Sequence, residues 1–152
     1  MSDARSPAGA LGVMQVMPAT ARLTARRFGV SHKSHNQLLD ADHNIKLGSA
    51  YLGMMLRRFD NNRVIASAAY NAGPGRADRW VKHKLPVDVW IETIPFPETR
   101  NYVQRVLMGA AIYSRHIGEK QPLIHERELT FFTDGRPSQL ANHEPKTNAT
   151  TL

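Results

Sequence analysis

Val64-Ile65-Ala66-Ser67-Ala68-Ala69-Tyr70-Asn71-Ala72-Gly73-Pro74-Gly75-Arg76 decides how this chain is read. Its first half is short and almost wholly apolar, which predicts a helix at the centre of a core rather than on its rim. Its second half is a turn through which that helix cannot run. Pro74 has no backbone donor, and the flanking glycines permit conformations other residues avoid. The turn leaves Tyr70 and Asn71 at the mouth of a buried helix. By itself, Tyr-Asn-Ala-Gly is equally an ordinary helix C-cap.

Working outward, the pattern is helical on both sides. Pro18 suits the first turn of a helix that Phe28 and Gly29 close, with Leu23 and Phe28 as its core contacts. Val30 to Leu39 is polar and reads as a loop with a short turn. Asp40 or Asp42 caps the next helix, which runs to about Phe59. Its expected buried face is Ile45, Gly48, Leu52, Met55, Leu56 and Phe59. Asp60-Asn61-Asn62 breaks it. Gly75 to His83 forms a fourth helix with Trp80 inward, and Lys84 to Pro97, with three prolines, is mostly irregular. Glu98 to Ile117 is the longest helix, with a stripe of Tyr102, Val106, Gly109-Ala110, Tyr113 and Ile117, and Gly118 ends it. Beyond it, Leu129 to Thr133 reads as a strand entering an Asp134-Gly135 turn. Pro137 to Leu152 is polar, unpatterned and expected to be disordered. The class is all-α, with a main domain over 1–118 and a C-terminal extension over 119–152.

Length and composition fit one soluble globular domain: 152 residues, 41% hydrophobic and 7% aromatic. No apolar run is long enough for a membrane span. Met1 to Pro7 lacks the apolar core of an export signal. The absence of cysteine excludes disulfides and thiolate metal sites. A formal charge of +7 points to an acidic partner, with nucleic acid, anionic lipid and peptidoglycan all qualifying. The seven histidines form no metal pattern: His32 and His35 lie three apart, Asp40 and His43 sit across a loop, and His116 and His125 are isolated. Gly73-Pro74-Gly75 lacks the lysine and hydroxyl of a phosphate loop. Neither a metal nor a cofactor is expected.

Three further blocks accompany the central one. Ser6-Pro7-Ala8-Gly9-Ala10-Leu11-Gly12-Val13-Met14-Gln15-Val16-Met17-Pro18-Ala19-Thr20 lies near the start. Asn44-Ile45 with Gly48, Tyr51 and Leu52 follows, and Glu92-Thr93-Ile94-Pro95-Phe96-Pro97-Glu98-Thr99-Arg100-Asn101-Tyr102-Val103 comes last. Together, from about Ser6 to about Ile117, they resemble the catalytic domain of the soluble lytic murein transglycosylases. That family has a goose-type-lysozyme-like fold.

The resemblance implies a chemistry. Glycoside cleavage needs a carboxylic acid to protonate the leaving oxygen, and usually a second carboxylate. This family manages with one glutamate, first acid and then base toward the sugar's own 6-hydroxyl, giving a 1,6-anhydromuramic end. In the family that glutamate stands in a Glu-Ser pair upstream of the serine that opens the Ser-Pro-x-Gly block. Here that serine is Ser6, and no glutamate occurs before Glu92. The expectation is a domain truncated ahead of its acid, with the glutamate and any export signal lying before Met1. By resemblance, Ser6 orients the acid and Tyr70 supports it. Gln15, Met17, Tyr70, Asn71 and Glu98 contact the glycan. A Gln amide can both donate to and accept from an N-acetyl sugar, and a thioether offers a soft apolar face. From the residues alone, Met14 is core filler, Glu98 equally a first-turn helix residue, Arg100 an ion-pair partner, Glu92 structural, and Asn44 a turn or cap residue.

The leading expectation is therefore a peptidoglycan-cleaving domain of the periplasm or cell envelope, monomeric, acting on glycan strands. One alternative is a non-catalytic glycan-binding remnant. A third class is a basic helical nucleic-acid binder using Arg22, Arg26 and Arg27. It ranks below the others because no aromatic or base-reading side chains are interleaved with the charges.

Overall fold

The computed structural model describes residues 4–81 and 85–129. Six α-helices and one 3₁₀ turn make up the named elements among them, and no strand occurs: Arg5, Leu11 and Val16 make only isolated bridges. The chain divides into two compact units, 1–54 and 55–152.

In the first unit, α1 spans Pro18–Phe28, with Pro18 at its first position and Gly29 closing it in the left-handed conformation at φ 63°. Arg26 and Arg27 in its last turn complement the helix dipole. Its buried residues are the small Ala21, Thr24 and Ala25, at helical spacing. The expected contacts Leu23 and Phe28 are instead exposed. Leu23 sits two positions past Ala21, about 200° round the helix, so packing small residues inward turns it out. The 3₁₀ turn His35–Leu39 opens with a capping box between Ser34 and Gln37. Helix α2, Ala41–Arg58, begins where Asp40 Oδ1 accepts the His43 N–H at 2.8 Å. Asn44, Leu47, Gly48 and Tyr51 are its buried face in this unit. Gly48 was expected there, but Ile45 is exposed, and Leu47 and Tyr51 take the inward positions. Leu11, Val16, Ala21, Ala25, Leu38 and Leu47 form the core, with Met14, Val30 and Leu39 packed against it.

In the second unit, Met55 and Phe59 are buried, and Asp60 and Asn61 reverse the chain at φ 52° and 58°, a region these side chains tolerate. Asn62 then caps α3, Arg63–Ala72, its Oδ1 accepting the N–H groups of Val64 and Ile65 at 3.0 and 3.1 Å. Val64 to Ala69 are all buried, as the apolar run predicts. Gly73, at φ 92°, closes α3, and Pro74 opens α4, Pro74–Trp80. Helix α3 packs against α4 and α6.

The stretch expected to be irregular contains a helix. Helix α5 spans Val87–Thr93 and packs against α6. Pro86 and Pro95 lie just outside it, where prolines bound a helix. Val87, Trp90, Ile91 and Ile94 recur at i, i+3, i+4 and i+7 and are buried. The Trp90 indole donates to Trp80 O at 2.9 Å. Helix α6, Pro97–His116, buries Thr99, Val103, Leu107 and Ser114. The expected stripe lies one position away, about 100° round the helix: Val106, Tyr113 and Ile117 are exposed and Tyr102 is half-buried. Both series have helical spacing, but the buried one begins and ends on polar residues.

After α6 a helical turn at 126–129 follows. There Glu128 accepts from Arg63 Nε at 2.8 Å and from the Arg63 N–H at 3.0 Å. It thereby satisfies the first exposed backbone donor of α3. Apart from Leu129, in that turn, the expected strand and tail lie outside the described residues.

Candidate functional site

The first unit presents its candidate residues on one loop, 4–17, folded by its own backbone. Leu11 and Val16 exchange two hydrogen bonds at 3.1 and 3.0 Å, and the Gly12 N–H reaches Ala4 O at 2.9 Å. Asn44, wholly buried, clamps the loop from α2. Its amide nitrogen donates to Leu11 O and Leu38 O, both at 2.9 Å, and its oxygen accepts the Met14 N–H at 2.8 Å. A Cβ on Gly12, at φ 72°, would collide with that amide and with Leu38 O. Met14 closes over Gly48, where a Cβ would lie 2.6 Å from its own. Asn44 as a turn-fixing residue and Met14 as filler are both observed.

On this platform Ser6 Oγ accepts the Ala10 N–H at 2.9 Å. That leaves the hydroxyl hydrogen to donate, as a serine orienting a carboxylate must. Gln15 is exposed and has φ 50°, a conformation uncommon for a residue with a Cβ. Its Nε2 donates to Gly12 O at 2.7 Å. The side chain thus holds its own turn and leaves the amide oxygen as the group able to accept from a ligand. Met17, at the N-cap of α1, is 41% exposed, more than a core methionine would be.

In the second unit, Tyr70 and Asn71 end α3, and the start of α6 meets them. Tyr70 stacks on Tyr102 with ring centroids 6.3 Å apart and planes 3° from parallel. Burial pushes the Tyr102 phenol above its ordinary value of 10.0. Asn71 Oδ1 accepts from Thr99 Oγ1 at 2.6 Å. Glu98, one residue before Thr99, is exposed in the first turn of α6. Arg100, expected to make an ion pair, meets Glu92 at 3.6 Å, and Gln104 Nε2 also donates to Glu92 at 2.9 Å. Trp80 meets the edge of Phe96 at 5.6 Å, and the Arg76 guanidinium lies 5.2 Å from that ring.

Thr99 and Tyr102 were not singled out from the sequence as partners of Asn71 and Tyr70. Their nearness to Glu98 in the last block was the available signal. Glu128 was also missed. It is the most deeply buried carboxylate among the described residues. Burial pushes it up, but the hydrogen bonds from Arg63 and from the His125 and Arg63 backbones outweigh this and hold it below 4.5. It is therefore ionised and structural, the opposite of a proton donor.

Residues 1–90 match the family model of the transglycosylase SLT domain, and residues 93–122 that of the soluble lytic transglycosylase helical domain. Over 128 residues the chain is 42% identical to the soluble lytic murein transglycosylase of Salmonella typhimurium, covering 82% of this chain and 20% of that one. An inactive glutamate-to-glutamine mutant of the lytic transglycosylase Slt from Pseudomonas aeruginosa superposes with a TM-score of 0.79 at 54% identity, covering 85% of this chain and 21% of that one. The 70 kDa soluble lytic transglycosylase of Escherichia coli does so at 0.80 and 42%, covering 84% and 21%. The chain spans about a fifth of the length of the relatives it matches. No helix among the described residues is long and apolar enough to cross a membrane. With more than half its length under the first family model, and with its helical fold shared by these solved structures, the chain belongs to the transglycosylase SLT domain family.

Proposed function

We propose that this chain is the glycan-binding body of a peptidoglycan lytic transglycosylase of the cell envelope. The bond addressed is the β-1,4 linkage between N-acetylmuramic acid and N-acetylglucosamine, and the product carries a 1,6-anhydromuramic end. Gln15, Met17, Tyr70, Asn71 and Glu98 contact the strand, while Ser6 and Tyr70 serve the acid. The observation that carries this reading is Gln15, held at φ 50° on a buried scaffold with its amide nitrogen tied to Gly12 O. Unlike Asp60 and Asn61, whose side chains tolerate this region, a glutamine there is uncommon, and such strained positions cluster at binding sites.

Chemistry needs a carboxylic acid within reach of the glycosidic oxygen. Residues 1–152 hold no glutamate before Glu92. Of the carboxylates described, Glu92 pairs with Arg100, Asp78 with Arg58, and Glu128 with Arg63. On this reading the acid is a glutamate joined upstream of Ser6, as the Glu-Ser pair of the resemblance implies, and Glu98 serves as a strand contact. That a single glutamate-to-glutamine exchange gives an inactive Pseudomonas relative supports an acid of this kind.

The test is digestion of purified sacculi followed by mass spectrometry. Residues 1–152 should bind sacculi and release almost nothing, since general acid catalysis contributes about 10²–10⁴-fold. A chain carrying a Glu-Ser pair upstream of Ser6 should release anhydromuropeptides. Anhydro products from the 152-residue chain would show that the acid lies within it. Reducing-end products from the longer one would show a hydrolase.

A further inference from the structure

A basic recess in the first unit plays no part in the site above. Arg22 Nη1, on α1, lies 2.7 Å from His35 Nε2. Arg22, His32, Lys33 and His35 line a cavity of about 300 Å³. One turn along α1, Arg26 joins Arg22 and His32 around a second, of about 270 Å³. Behind both, His32 Nδ1 is 3.0 Å from His43 Nε2, with the rings stacked at 5.3 Å. His32 Nε2 is buried without a hydrogen-bond partner among the described residues. Nor does any described carboxylate lie within ion-pair distance of Arg22, Arg26, Arg27 or Lys33. No group of three or more His, Cys, Asp or Glu among the described residues is arranged to hold a metal ion, and two guanidiniums at the rim would repel one. Uncompensated cations around a recess favour an anion.

We propose that this recess binds the carboxylate of a peptidoglycan peptide stem, with Arg22 and Arg26 as charged contacts and the His32 and His35 rings as hydrogen-bond donors. The stem as source rests on the function proposed above. Guanidinium forks one turn apart match a planar carboxylate. Cavities of this size also admit the carbon skeleton that carries it.

His32 makes the site pH-sensitive. An arginine can only donate, so in its 2.7 Å contact with Arg22 His35 Nε2 is the acceptor. In the His32–His43 contact one ring donates and the other accepts. His32 is faced by Arg22 and Arg26 from α1, by His35 from the 3₁₀ turn and by His43 from α2. Burial first, then the charges of His43, His35 and Arg22, hold its pKa below 6.5. A bound carboxylate offsets those charges, so binding takes up a proton. Affinity rises as pH falls through the bound ring's pKa and levels off below that of the free ring.

The experiment is an NMR titration of the 152-residue protein, read at the imidazole protons. The probes are the tripeptide alanyl-γ-glutamyl-diaminopimelate, its fully amidated form, and inorganic phosphate. The tripeptide should shift the His32 and His35 resonances and bind at least about threefold more tightly at pH 5.5 than at pH 7.5, as uptake of a fraction of a proton requires. Amidation should abolish the shifts, and so should Arg22→Gln with Arg26→Gln, both exposed positions that leave the fold intact. The idea is overturned if the tripeptide produces no shift, if the amidated form binds equally, if affinity does not rise at pH 5.5, or if phosphate binds and the tripeptide does not. Glycan strands stripped of their stems bind independently of this recess. Their retention alongside a failed tripeptide titration would sink this proposal alone, whereas their loss would count against the proposed function.

Discussion

Arg63 and Glu128, 65 positions apart, meet through three hydrogen bonds. Nε donates to Oε1 at 2.8 Å, Nη2 to Oε2 at 2.9 Å and the backbone N–H to Oε1 at 3.0 Å. The Glu128 side chain is fully buried, and Arg63 is 21% exposed. The His125 N–H adds a fourth donor at 2.7 Å, and Arg63 Nη2 reaches Leu123 O at 3.2 Å. The segment after α6 is thus fastened to the first turn of α3.

Removing the carboxylate should therefore be costly. Glu128→Ala strands a partly buried guanidinium and two backbone donors, a class of change worth about 3 kcal/mol. Urea unfolding of the purified chain measures it. A loss under about 1 kcal/mol would show that water replaces the carboxylate without difficulty.

The same pair fixes an acid limit. Because the folded-state pKa of Glu128 lies below 4.5, its contribution is fully present above that value and is lost as pH falls through the folded pKa. The melting temperature should fall along that acid limb. In Glu128→Gln the fall should be shallower, since the neutral amide has no proton to gain. Parallel limbs in the two proteins would exclude Glu128 as the titrating group.

Asn44 should prove the fragile point of the first unit. Asn44→Ala removes three hydrogen bonds in a wholly buried place, stranding Leu38 O and the Met14 N–H and leaving Leu11 O only its bond from the Val16 N–H, a loss of about 3 kcal/mol. Asn44→Asp should be comparably harmful, because a carboxylate cannot donate to the two carbonyls. Amide hydrogen exchange at Met14 and Val16 reports the loop directly. Unchanged protection there in Asn44→Asp would remove Asn44 from its assigned role.

The central helix was legible because Val64 to Ala69 admit only one reading: nothing polar enough for a surface interrupts them. The Asn62 cap and the Gly73-Pro74 break are chemically as explicit. Helix α5 was obscured by counting prolines instead of placing them, since Pro86 and Pro95 bound it and leave Val87 to Thr93 clear. On α6 two stripes of equal periodicity compete, and the neighbours that decide between them belong to α3 and α5. On α1 the core selected alanines over Leu23 and Phe28, a matter of space that apolar character does not report. Ser6, Gln15, Met17, Tyr70, Asn71 and Glu98 are candidates that the resemblance alone supplied. Glu128 was not among them, because its role depends on a partner 65 residues away and on nothing local.

Gln15 separates binding from stability. At φ 50° a residue with a Cβ costs of order 1 kcal/mol, which glycine would recover. Gln15→Gly also loses the 2.7 Å bond from Nε2 to Gly12 O, worth about 1 kcal/mol. The two nearly cancel, so Gln15→Gly should unfold within about 0.5 kcal/mol of the parent. Gln15→Val, β-branched in the same conformation, should be clearly destabilised. Binding should behave differently. If the amide oxygen accepts from an N-acetyl sugar, Gln15→Gly loses one hydrogen bond of about 1 kcal/mol, roughly a fivefold weakening. The measurement is a titration of stem-free glycan strands into each variant, beside its urea curve. Glycine binding as tightly as glutamine would mean that the strain at position 15 only shapes the turn, and that the strand is held by other side chains.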